Sequence, residues 1–190
     1  MLVSIEDVMQ LDEYAGANPD DVKRKINAIE SAIRAYTNNN FIVRGARITA
    51  PAVDGAVQGT SPYIKAGDRV YLARSARIED ENGHEVAYPV DANHGLYDVV
   101  SVDGGITTLD EQLYDSDVND VFAVHYPEAI KAGVIDLLKW DAMGRDKVGI
   151  SSETISRHSV SYYQFNDSEM VMGYPAALMG FLKPFVKARF

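Results

Sequence analysis

The sequence contains no cysteine among its 190 residues. This absence excludes disulfide bonds, thiolate nucleophiles and cysteine-ligated zinc or iron–sulfur centres. Long apolar runs are also missing, so no segment reaches the ~20 residues that cross a bilayer. Residues 1–10 carry acidic side chains where a secretion signal has a basic start and an apolar block. We therefore expect a soluble protein that is made without export and has no membrane partner.

Basic residues are scarce in one stretch of the chain. The whole sequence has 18 Lys and Arg against 28 Asp and Glu, a formal net charge of −10. Twelve of the acidic residues lie between Ala76 and Val121, where Arg77 is the only basic residue. Non-specific binding of nucleic acid depends on Lys and Arg that displace the phosphate counterions. The charge therefore argues against a nucleic-acid-binding protein and predicts a solvated acidic face.

The composition, 46% hydrophobic and 24% charged, is that of an ordinary globular protein. Two helices are predicted at the N-terminus of the chain. Ser4 suits the N-cap of the first helix, which should end near Tyr14. The second should begin at Asn18-Pro19 and end at the asparagines 38–40. Its predicted apolar stripe consists of Val22, Ile26, Ile29, Ile33 and Tyr36, and its predicted polar face of Lys23, Arg24, Glu30 and Arg34.

A meander of short strands is predicted from Phe41 onwards. The hydrophobic period changes towards two there, and turn-forming residues come at short intervals. Gly104-Gly105 has the conformational freedom that a tight hairpin turn requires. Such a pattern predicts a small antiparallel barrel or a curled sheet, SH3-like or OB-like. The predicted strands are 41–48, 69–73, 85–90, 96–102, 106–109 and 121–126.

Helical periodicity returns after the strands. A helix is predicted from Pro127 to Gly144 or Gly149, then an extended arm or hairpin over 150–165, then a last helix that opens at 173–175 and is bent by Pro184. We therefore predict an α+β fold in which N- and C-terminal helices form a small α-helical bundle. The predicted domains are a helical body with a C-terminal arm, 1–40 and 127–190, and an inserted β domain, 41–126.

The sequence carries no catalytic signature. Asp115 to Asp120 places oxygen ligands at alternating positions, as a calcium loop begins, but Asp120 and Tyr126 stand where that loop needs Gly and Glu. No two histidines have the helical spacing that chelates zinc, and Ser156 to Ser159 places a base beside serines without a triad pattern. Phosphate-binding glycine loops are missing. We predict a protein that is not an enzyme and has no cofactor, catalytic residue or metal site.

The C-terminal quarter contains the segments with the strongest indication of a partner. Residues 150–162 form a polar, β-branched arm, and residues 180–190 form an apolar, basic tail. Segments of this kind can be held by a partner, or they can pack on their own subunit. The candidate residues for an oligomer or portal interface are Ile150, Ser151, Ser152, Ile155, Arg157, His158, Val160, Tyr162, Tyr174, Pro175, Phe181, Phe185, Lys187, Arg189 and Phe190.

These segments resemble the C-terminal region of the head–tail connector (adaptor, or head-completion) proteins of tailed bacteriophages. The resemblance lies in the arm 150–162, in Gly173-Tyr174-Pro175 with Leu178, and in the ending 181–190. The predicted helices are similar to the family's helical body, and together these parts cover about half of the chain. The segment 41–126 departs from the pattern, because compact members are nearly all helical with a short hairpin.

The resemblance implies a structural virion protein. Family members form a homo-oligomeric ring of about a dozen subunits that docks on the portal protein, extends the DNA channel and provides a platform for the tail through the next neck or stopper protein. DNA passes through without specific binding. The implied location is the neck of the virion, with assembly in the host cytoplasm. The alternative from another class is a metal- or ligand-binding β-barrel protein, with a hydrolase as one version.

Overall fold

The computed structural model describes residues 2–81, 84–143, 152–155, 158–161 and 170–188. The chain is α+β, with helices and a closed antiparallel barrel. It forms two compact units. The barrel unit contains Asn40–His125, and the helical unit contains Leu2–Asn39 and Tyr126–Phe190. None of the described helices combines the length and the apolar character that are required to cross a membrane.

The two N-terminal helices begin where their capping residues predict. Helix α1 spans Ile5–Met9, and the Ser4 hydroxyl accepts a 3.0 Å hydrogen bond from an N–H of its first turn. Helix α2 spans Pro19–Thr37, and the side-chain oxygen of Asn18 accepts a 2.9 Å hydrogen bond in the same way. Asn38 ends α2 in the left-handed conformation (φ 50°), which asparagine tolerates better than most residues. The predicted caps are therefore confirmed, although α1 is shorter than expected.

The predicted stripe of α2 is buried except at its last position. Val22, Ile26, Ile29 and Ile33 lie in the core of the helical unit. Tyr36 was assigned to the stripe but is 38% exposed, and Glu30 was assigned to the polar face but is fully buried. The Tyr126 hydroxyl donates a 2.8 Å hydrogen bond to the Glu30 carboxylate. The prediction for Glu30 was wrong because this partner comes from a distant part of the chain.

The barrel unit contains seven strands among its described residues. They are β1 (Ile42–Val53), β2 (Ala56–Val57), β3 (Arg69–Glu81), β4 (His84–Pro89), β5 (Gly95–Asp103), β6 (Ile106–Leu109) and β7 (Ser116–Val124). Six of them close a barrel in the order β3-β5-β6-β2-β1-β7, with β7 pairing back onto β3, and all pairings are antiparallel. Strand β4 lies outside this ring and pairs with the second half of β3. The barrel prediction is thus confirmed, but β2 was missed.

Tight turns and an apolar interior hold the barrel together. The predicted turn at Gly104-Gly105 joins β5 to β6 with φ values of 58° and 86°, and Asp54-Gly55 makes a similar turn between β1 and β2. The alternating residues of the strands point inwards and form one cluster of buried side chains. This cluster consists of Ile48, Ala52, Val57, Ile64, Val70, Leu72, Tyr97, Val99, Leu109, Leu113 and Val121.

The C-terminal segment differs from the expected bundle of helices. Helix α3 (Glu128–Met143) is confirmed, with Ile130, Val134, Leu137 and Leu138 fully buried. The described residues that follow form short strands and a 3₁₀ helix rather than a further α-helix. The ring of Pro184 would clash with the carbonyl four residues earlier in an α-helix, which disfavours the α form there. The elements are β8 (Ser152–Ile155), β9 (His158–Ser161), β10 (Met170–Val171), β11 (Tyr174–Pro175) and the 3₁₀ helix Ala176–Phe185.

Candidate interaction surfaces

The predicted arm contains a β-hairpin. Strands β8 and β9 form an antiparallel two-stranded sheet in which Ser152 pairs with Ser161 and Ile155 pairs with His158. Among the described residues each strand pairs only with the other, so each has one side at which another strand could add. Of the candidate interface residues, Ser152, Ile155, His158 and Val160 lie on this hairpin, whereas Ile150, Ser151, Arg157 and Tyr162 lie outside the described residues.

Tyr174 and Pro175 pack inside the helical unit. Both are buried, and they pair with β10 across a turn in which Met172 and Gly173 have positive φ. The Tyr174 ring meets the Trp140 ring edge-on, with centroids 5.5 Å apart. These two candidate residues therefore hold the segment after the arm against α3 of their own subunit.

Phe181 covers a glycine of helix α3. A Cβ atom built on Gly133 would lie 2.4 Å from the Phe181 ring, so the ring occupies the space that any larger residue would need. On either side of Phe181, Met179 and Leu182 are buried. The 3₁₀ helix is therefore anchored through its apolar side chains, and Phe181 contributes to that anchor.

The tail after the 3₁₀ helix is held by its backbone at the C-terminal end of α2. The Lys187 N–H donates to the Thr37 carbonyl at 2.8 Å. The side-chain amide of Asn38 donates to the carbonyl of residue 188 at 3.0 Å, and that of Asn39 donates to the Phe185 carbonyl at 3.3 Å. The side chains of Val186 and Lys187 are exposed. Arg189 and Phe190 lie outside the described residues.

A buried ion pair joins α2 to α3. Lys25 Nζ lies 2.6 Å from Asp141 Oδ2, and the Asp141 side chain is almost fully buried. The Tyr14 ring lies under the same ammonium group, and its hydroxyl donates to the Leu138 carbonyl at 3.0 Å. Burial raises the pKa of Tyr14. Burial lowers the pKa of Lys25, but Asp141 and Tyr14 together outweigh it, so that pKa lies above its ordinary value.

Part of the acidic stretch is paired or buried rather than solvated. Arg47 lies 2.5 Å from Asp120, and Arg69 lies 2.8 Å from Asp98. Ser116 and Asn119, in the segment that resembles the start of a calcium loop, are buried in β7. The predicted solvated acidic face therefore does not include these two polar residues. Within the described ranges, no three His, Asp or Glu side chains form a cluster that could hold a metal ion.

A polar network around Asn93 stabilises the barrel unit. The side-chain amide of Asn93 donates to the Tyr114 carbonyl at 2.8 Å and to the Ser75 hydroxyl at 3.0 Å, and its oxygen accepts from the Tyr114 N–H at 2.8 Å. The Tyr97 hydroxyl donates to the Asn93 carbonyl at 2.9 Å. Asn93 is itself buried. The network joins the turn before β5 to β3 and to the segment before β7, and its role is structural.

A groove on the barrel was not predicted. Its volume is about 450 Å³, and it lies where three residues of β1 bulge out of register with β7, between Val43 and Arg47. Tyr63, on the loop before β3, is 69% exposed and forms one wall. Sequence periodicity cannot separate such an exposed aromatic residue from a core one. The residues that line the barrel groove are Val43, Gly45, Ala46, Tyr63, Asp68, Ala123, Val124 and His125.

The comparisons with known proteins do not assign a function. No protein-family model matches the chain, and no curated protein matches it.

Proposed function

We propose that this protein is a structural, non-enzymatic subunit of the head–tail connector of a tailed bacteriophage. In this proposal a ring of subunits docks on the portal in the virion neck, extends the DNA channel and supports the next neck protein. The observation that carries the proposal is the β8–β9 hairpin, which lies between α3 and the 3₁₀ helix. This is the place of the arm in the family that the sequence resembles. The helical unit would act as the body that the family builds from N- and C-terminal helices.

The charge of the barrel unit supports a channel through which DNA moves. The unit has fourteen Asp and Glu against six Lys and Arg. A channel must let DNA slide, and acidic side chains repel phosphates rather than bind them. An acidic barrel is therefore compatible with DNA passage and argues against a role in gripping it.

Removal of the hairpin tests the proposal. Replacing residues 151–161 by a short Gly/Ser linker should abolish ring formation and portal binding, as measured by light scattering and native mass spectrometry with and without purified portal protein. The matched control removes residues 79–86, the part of the β3–β4 hairpin that pairs outside the closed ring, and joins its ends by an Asn-Gly turn. Rings and portal complexes that survive the first deletion as well as the second would contradict the proposal.

The alternative of a metal-binding barrel makes a different prediction. A bound cation stabilises the folded state by mass action, so calcium, magnesium or manganese would raise the Tm in a thermal-shift measurement. The connector proposal predicts no such rise.

A further inference from the structure

We propose that the barrel groove of one copy binds the C-terminal tail, residues 185–188, of a second copy. The inference rests on the proposed function, because it supplies the head-to-tail contact that a ring requires. It follows from the chemistry of two surfaces that the structure describes separately.

The groove combines apolar walls with a carboxylate. Tyr63 is 69% exposed and Val43 is 39% exposed, and both face the concave surface that Ala46 and Ala123 also line. Single exposed apolar residues are ordinary, but several around one concavity are typical of a binding site. Asp68 contributes the carboxylate, which is held by a 2.7 Å hydrogen bond from the Lys65 N–H. The groove therefore suits a short segment with an apolar and a basic side chain.

The tail has this composition, and it is already extended. Val186 has φ −68° and ψ 125° and is 49% exposed, and Lys187 follows it with an exposed side chain. Three hydrogen bonds with Thr37, Asn38 and Asn39 hold the backbone at residues 185, 187 and 188. An ordered segment loses less conformational entropy when it binds. The tail can thus present its side chains to a partner without first being rearranged.

Charge complementarity favours a second copy as the partner. Asp68 puts an acidic side chain in the groove, and Lys187 puts an exposed basic side chain in the tail. Opposite charges raise the rate of encounter and fix the direction of binding. A contact between two different surfaces of the same chain is heterologous, and such contacts close into rings or extend into filaments.

Two single variants and their mixture test the inference. Tyr63→Ala removes a wall of the groove, and Val186→Asp puts a charge on the apolar part of the tail. We expect each variant to self-associate at least roughly tenfold more weakly than the wild-type protein in sedimentation equilibrium and native mass spectrometry. The matched controls are Tyr114→Ala and Val100→Asp, because these barrel residues are 65% and 58% exposed outside the groove. Unchanged Tm values would show that all four variants fold.

The mixture distinguishes a head-to-tail contact from any other. A 1:1 mixture of the two variants retains one intact groove and one intact tail, so it should form dimers and nothing larger. The inference would be overturned if neither the single variants nor their mixture formed dimers, or if both variants formed full-size rings on the portal. Either result would leave the connector proposal in place. Self-association that depends on the groove, in a protein that never binds portal, would support the inference and contradict the connector proposal. Wild-type protein that stays monomeric, alone and with portal, would contradict both.

Discussion

Replacement of Gly133 by alanine tests whether Phe181 is committed to its own subunit. Gly133 lies in the middle of α3, where alanine would ordinarily stabilise the helix by about 1 kcal/mol. In this structure the added Cβ would lie 2.4 Å from the Phe181 ring, well inside van der Waals contact. The ring would have to move, together with the 3₁₀ helix whose residues Met179 and Leu182 are buried.

The two effects have opposite signs, and the steric effect should be the larger. Overpacking of a filled core costs about 1–3 kcal/mol. After the gain in helix propensity, a net loss of up to about 2 kcal/mol remains. For a protein of this size, 1 kcal/mol corresponds to about 2–4 °C in Tm. We therefore expect Gly133→Ala to unfold a few degrees below the wild-type protein in circular dichroism or calorimetry.

Gly180→Ala is the matched control. A Cβ on Gly180 would have no heavy atom within 4 Å, so this variant should be at least as stable as the wild-type protein. In a double-mutant cycle, Phe181→Leu should relieve part of the cost of Gly133→Ala, because the smaller side chain vacates the space above the glycine. A Gly133→Ala protein that is more stable than the wild type would refute the packing argument and would leave Phe181 available for a partner.

Three further predictions concern buried polar groups. Asn93→Ala should destabilise the protein by about 2–3 kcal/mol in urea denaturation, since it removes hydrogen bonds from the buried Ser75 hydroxyl and from the partly buried backbone of Tyr114; an unchanged midpoint would contradict this. Lys25→Met should cost more stability than Asp141→Asn, by about 1 kcal/mol, because it removes the ammonium group from a buried carboxylate while Lys25 itself is partly exposed; the reverse order would be inconsistent with the ion pair. The pKa values of Tyr14 and Lys25 are raised in the folded state. The stability that these two groups contribute is therefore complete below their unfolded pKa values of 10.0 and 10.5, and it is lost as the pH rises through their folded pKa values. Tyr14→Phe should therefore flatten the fall in Tm between neutral and strongly alkaline pH, and an unaltered fall would count against this assignment.

Local signals predicted where several elements begin, but not the ends of β1 and β3 or the start of β7. Caps at Ser4 and Asn18 mark the starts of helices, and Gly104-Gly105 marks a hairpin, because each acts through backbone atoms within a few residues. The last predicted helix was less well placed. Its apolar spacing suits an α-helix, yet the segment is a 3₁₀ helix that contains Pro184 and packs on α3 through Phe181.

The sequence predicted which segments carry the candidate interface, but not which of their residues lie on the surface. The arm and tail could be singled out by composition, but sequence could not show that Tyr174, Pro175 and Phe181 pack inside the helical unit. The barrel groove had no signal at all, because it forms where a bulge in β1 meets the loop that carries Tyr63.

The uneven charge, the lack of cysteine, the helical stripes and the alternating strands are properties of the sequence by itself, and they determine an α+β chain with an acidic β segment. Tertiary structure alone decided that β7 pairs back onto β3 to close the barrel, that Glu30 is buried beside Tyr126, and that Arg47 and Arg69 each pair with one of the acids. The physical reason is sequence separation. Periodicity and capping report on neighbours within a turn or a hairpin, whereas these contacts join residues tens of positions apart whose meeting depends on the whole fold.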